Sequence, residues 1–177
     1  MPAIPYVPSD ISEPGEIVSA IRARRGGPLL NLDRMLLHSP PFAEGWNQFL
    51  GAVRSQLALP LRLRELAICA VGHLNGAEYE VFQHAPVFLS AGGTQSQLQA
   101  LRDPLRAAAD AQRFDATERL VLQMAITLTR DVNVPGELLD AARSMLGDDR
   151  QVVELVGVIA AYNMVSRFLV ALQVGPE

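Results

Sequence analysis

Glu65, Glu80 and His84 are the residues of this chain whose types and spacing could do chemistry. A helix break at Asn75-Gly76 lies between them and can fold two carboxylates and an imidazole toward one another, an acid/base set. Glu80 and His84 are four residues apart, one helical turn, so the spacing predicts that Glu80 orients the imidazole and favours its charged form. Glu80 falls in the first turn of its helix, where the macrodipole favours the carboxylate. Glu65 would be the second proton carrier, in a buried setting that resists ionisation. Tyr79 could donate to a developing oxyanion. A structural reading stands beside this one: a solvated Glu80–His84 pair, with Glu65 bonding the Asn75 turn.

Other chemistries find less support. Glu80 and His84, with Glu65 or His73 as a third ligand, could hold a metal, but no His-Glu-x-x-His motif is present and no metal is expected. Neither is any cofactor. The chain has no lysine, its fifteen basic residues all being arginine, which excludes a Schiff base. Its one cysteine, Cys69, cannot form an intramolecular disulfide. Cys69 does share a helical face with Glu65 and His73, so a one-cysteine redox site is the alternative, set against a buried, inert thiol. Arginine can clamp a carboxylate bidentately. Arg167 is a candidate for that role, against a structural pair with a glutamate such as Glu154 from another subunit. Trp46 is a candidate pocket wall, against a place in the core. His38 and His73 are read as helix-end residues near free carbonyls.

The elements that must position these groups read as helices throughout. Leu63, Leu66, Ala67, Ala70 and Leu74 follow Pro60 at helical spacing, and a second helix begins near Ala77. Residues 1–12, with Pro2, Pro5 and Pro8, read as an extended arm. Helices are expected over 14–24, with Ser12 as cap, then 29–38, stopped by Pro40-Pro41, and 42–57, with Phe42, Trp46, Phe49 and Val53 along one side. Further helices are expected at 95–101 after Thr94, in a short stretch after Asp103-Pro104, and at 116–130 after Asp115. The last two are 135–146 and 149–174. No segment alternates in the manner of a strand, so the fold class is all-α, one domain over 13–177.

Composition fits that reading. With 177 residues and 49% hydrophobic content, a single core can form that buries about 70% of the unfolded surface. Net charge is −4, and no basic stripe interleaved with aromatics appears, so nucleic acid is not an expected partner. No run reaches about 18 apolar residues, and the amino-terminal residues lack a signal-peptide layout, so a soluble, cytoplasmic protein without a membrane partner is expected.

Arg64-Glu65-Leu66, the run Asn75-Gly76-Ala77-Glu78-Tyr79-Glu80-Val81-Phe82-Gln83-His84, and Ala91-Gly92-Gly93 resemble the carboxymuconolactone decarboxylase-like family, which includes the AhpD alkylhydroperoxidases. The likeness continues through Glu154-Leu155-Val156 and the stretch from Ala161 to Arg167, so that it spans roughly residues 40–174. In the AhpD branch a glutamate precedes a Cys-x-x-Cys pair, and a histidine follows four residues after the second cysteine. Glu65 and His84 match that glutamate and histidine. The cysteine positions fall on Ala77 and Glu80, and the relay histidine on Tyr79, so disulfide cycling at those positions is absent. The resemblance implies an AhpD-like bundle of roughly seven to nine helices that assembles as a homo-oligomer, a trimer or hexamer, with the arm on a neighbouring subunit. For activity, the reading is cofactor-independent proton transfer on a small carboxylated or lactone-like substrate. Peroxide reduction through Cys69 or an external thiol, and noncatalytic ligand binding or assembly, are the alternatives.

Overall fold

The computed structural model describes residues 1–177 and contains ten helices and no strand. These correspond to the ten segments read as helices from the sequence, one more than the seven to nine that the family resemblance implies. The chain forms two compact units, Met1–Gln56 with Leu169–Glu177, and Leu57–Phe168.

The first unit holds α1 (Gly15–Arg25), α2 (Asn31–Leu36) and α3 (Pro40–Ser55). Pro40 and Pro41 do more than end the preceding segment: they open α3, whose first residues have no carbonyl for an N–H to meet. The buried residues of α3 are Ala43, Trp46, Leu50 and Val53, and Phe42 and Phe49 are about half exposed. Ser12 does not cap α1, which starts from Pro14 without a side-chain cap. The arm lies on this unit through its backbone. Ala3 N–H donates to the Leu172 carbonyl, Arg34 Nε to that of Val7 and Arg22 to that of Ile11. His38 Nε2 lies 2.7 Å from the Pro5 carbonyl, a more specific role than the helix-end contact expected of it.

The second unit is built on α4 (Leu61–Leu74), buried without interruption from Arg64 to Gly72. On one side it packs against α5 (Glu78–Ser90), and on another against α8 (Ala116–Arg130). Between α4 and α5 the chain turns at Gly76, where φ is +66°, the left-handed region that only glycine enters without steric cost. The contact between the two helices requires a second glycine. A Cβ on Gly72 would lie 2.9 Å from Val81 Cγ2, inside the van der Waals limit.

Three further helices, α6 (Gln95–Ala100), α7 (Pro104–Ala109) and α9 (Gly136–Leu146), surround this core. Thr94 and Asp115 cap α6 and α8 in capping boxes with Gln97 and Glu118. Buried Glu118 also accepts from Arg62 Nε at 2.8 Å, which ties α8 to α4. The last helix, α10 (Asp149–Ala171), lies in this unit as far as Phe168. It is long and apolar enough to cross a membrane by length and composition, yet 56% of its most apolar window is buried within the chain, as in a core helix.

Candidate functional site

Glu65 lies at the start of the buried run of α4, and His84 at the middle of α5. Nineteen residues separate them in sequence, and the turn at Asn75-Gly76 brings His84 Nδ1 to 2.6 Å from Glu65 Oε2. Both side chains are buried, Glu65 at 2% and His84 at 8% exposure. At that distance the two are hydrogen-bonded, and the bond fixes the orientation of the ring. The spacing favoured Glu80 as the orienting partner, but this Nδ1 contact goes to Glu65. Glu80, equally buried, accepts from Ser166 Oγ of α10 at 3.0 Å. Tyr162, also on α10, stands edge-on to the imidazole with ring centroids 4.9 Å apart.

The turn itself is held by a polar relay. Asn75 Nδ2 donates to Asn163 Oδ1 at 3.0 Å, and Asn163 Nδ2 to Thr129 Oγ1 at 2.9 Å. Arg167 NH1 donates to the carbonyl and to Oδ1 of Asn163. Within the chain Arg167 is thus bonded to Asn163, and Glu154 of the same chain accepts from the Leu59 N–H and from Arg150.

The remaining candidates are distributed as follows. Tyr79 is buried at the start of α5. Trp46 is a core residue of the first unit, edge-on to Phe42. Cys69 is wholly buried, and burial, reinforced by Glu65 and Glu80, pushes its thiol far above the usual range. A thiolate is therefore strongly disfavoured there. No group of three histidine, cysteine, aspartate or glutamate side chains is arranged to hold a metal ion.

The same helix pair borders a cavity of about 550 Å³ whose lining includes His73, Glu78, Val81, Phe82 and Arg102. Glu65 and His84 are not among its lining residues. Burial, aided by the Arg102 charge, lowers the pKa of His73 from its usual value, so the neutral ring is favoured.

Two contributors escaped the sequence reading. Ser166 carries no local signal, because a serine within an apolar helix is usually bonded to its own backbone. Arg64 did carry one. It is a charged residue inside a run that is otherwise fully buried, and it is itself buried.

The ten helices define the class as an all-α fold, and solved structures share it. Residues 40–122 match the profile of the Carboxymuconolactone decarboxylase family. The fold is AhpD-like. An uncharacterized peroxidase-related protein from Silicibacter sp. TM1040 superposes with a TM-score of 0.82 at 18% identity, covering 99% of this chain and 92% of its own. An uncharacterized peroxidase-related protein from Ralstonia eutropha JMP134, described as an alkylhydroperoxidase AhpD core, gives 0.82 at 15% identity, with the same coverage of 99% and 92%. The debrominase Bmp8, solved in complex with 2,3,4-tribromopyrrole, gives 0.77 at 14% identity, covering 97% of this chain and 90% of its own. Identities this low carry the fold alone. No curated protein matches the chain.

Proposed function

We propose that this chain is a cofactor-independent acid/base enzyme of the carboxymuconolactone decarboxylase type, acting on a small carboxylated or lactone-like substrate. The observation that carries the reading is the buried 2.6 Å contact between His84 and Glu65. With Nδ1 committed to the carboxylate, His84 exchanges a proton with the substrate through its other ring nitrogen. Glu65 fixes the ring and balances the charge that develops on it, and Glu80, tied to Ser166, lines the same cluster. Tyr79 is assigned to a developing oxyanion. Loss of carbon dioxide leaves an electron pair that an adjacent carbonyl can delocalise and a proton must quench, and His84 supplies that proton. The enzyme works in the cytoplasm as a homo-oligomer, a trimer or hexamer.

The test is turnover in a screen of small carboxylic acids and lactones. His84→Ala is expected to lower kcat by about 10²- to 10⁴-fold. Full turnover by that variant would end the proposal.

A peroxide-reducing activity is the second reading, favoured by the descriptions of two structural neighbours. Full burial of Cys69 opposes a version that uses this thiol, leaving an external thiol as the reductant.

A further inference from the structure

Arg64 sits directly beside the glutamate–histidine pair and is 7% exposed. Its guanidinium is charged at any pH a protein survives and offers five N–H donors. Nε lies 3.6 Å from Glu65 Oε1, close enough for attraction but beyond hydrogen-bond length. Nε is buried and has no acceptor. The other oxygen of Glu65 is engaged by His84. Burial of a charge is tolerated when the group is paired and hydrogen-bonded, and Arg64 meets only the first condition, at long range.

Comparison within the molecule makes the gap clearer. Arg25 grips buried Asp33 with two bonds of 2.9 Å, and Arg62 holds buried Glu118 at 2.8 Å and 2.7 Å. Both arginines are thus bonded to the carboxylate they face. Arg119 shares with Arg64 a buried Nε without an acceptor, but it is only half-buried and no glutamate–histidine pair adjoins it.

We propose that Arg64 anchors the carboxylate of the substrate, holding a small monoanionic acid beside His84. The proposal rests on the acid/base reading above, chooses its carboxylated substrate over the lactone, and assigns the residue that binds the carboxylate. A planar guanidinium fork matches a carboxylate bidentately, which an ammonium cannot do. Burial of Arg64 limits the ligand to a small molecule. The neighbouring Glu65 carboxylate selects a singly charged group over a phosphate dianion, which it would repel.

The experiment uses acetate and its neutral analogue acetamide as probes, and follows the arginine Nε–Hε resonances of the full-length, uniformly ¹⁵N-labelled protein. The Arg64 resonance is assigned by through-bond correlation to its backbone, so the test does not depend on a variant that folds. Acetate is expected to shift it saturably and acetamide to leave it in place. Arg64→Lys should weaken acetate binding by about tenfold, the loss of a bidentate contact. His84→Ala should retain acetate binding while losing turnover. An Arg64 resonance that acetate does not move overturns the proposal. So does one that moves with protein concentration instead, since the acceptor would then belong to a second copy of the chain. If His84→Ala keeps full turnover while acetate still shifts Arg64, the acid/base reading fails and the anion anchor stands.

Discussion

Glu65→Gln keeps the shape of the side chain and removes its charge, which makes it the sharpest probe of the buried cluster. In the folded protein Glu65 is 2% exposed and faces two partners, His84 at 2.6 Å and Arg64 at 3.6 Å. An amide can still bond a neutral imidazole, but it leaves the Arg64 charge buried and uncompensated. Removing one member of a buried ion pair costs about 3–5 kcal/mol, and the long Arg64 contact places the expected loss near the lower end, about 3 kcal/mol. With a urea dependence of about 2 kcal/mol per molar, the unfolding midpoint should fall by about 1.5 M at unchanged slope. Pairing the change with Arg64→Met removes both charges and should restore most of the loss, because an apolar replacement of a whole buried pair is often neutral. The double-mutant cycle should therefore report a coupling of at least about 2 kcal/mol between the two positions. A Glu65→Gln midpoint within about 0.25 M of wild type would show that no buried charge pair exists and would refute the reasoning.

Three further outcomes follow from other contacts. Gly93→Ala would place a Cβ 2.3 Å from the ring of Phe88, which is fully buried, so calorimetry should show a loss of about 1–3 kcal/mol; Gly45→Ala, with nothing within 4 Å in an exposed part of α3, should match or slightly exceed wild type. His73 has a folded-state pKa below its unfolded value of 6.5, so the unfolded chain binds more protons in the window just below that pH, and stability should fall as pH drops through it. His73→Gln should flatten this part of the denaturation profile, and an unchanged slope would contradict the assignment. Cys69 should resist iodoacetamide in the native protein at about pH 8 and react readily in urea; Cys69→Ser should leave any peroxide consumption unaltered, and rapid native alkylation or a loss of consumption would overturn the inert-thiol assignment.

The local pattern of the chain determined most of its helices. Apolar positions at helical spacing, the Thr94 and Asp115 caps and the glycine stop at Gly76 are short-range signals, and each acts within a few residues of where it is written. Pairing of Glu65 with His84 was suggested by type and by the family spacing, because the intervening turn is also local. How deeply each residue of α3 is buried was not legible, because spacing puts Phe42 and Phe49 on a side with Trp46 but does not say what covers them, and both are about half exposed. Which carboxylate takes the imidazole nitrogen was decided by tertiary structure. One helical turn made Glu80 the nearer residue in sequence, whereas the packing of α5 on α4 brings Glu65 to Nδ1 and that of α10 brings Ser166 to Glu80. The single charged residue at position 64 was visible in the sequence. That its Nε would be buried without an acceptor followed from three-dimensional packing alone, since hydrogen-bond satisfaction depends on residues brought together from distant parts of the chain.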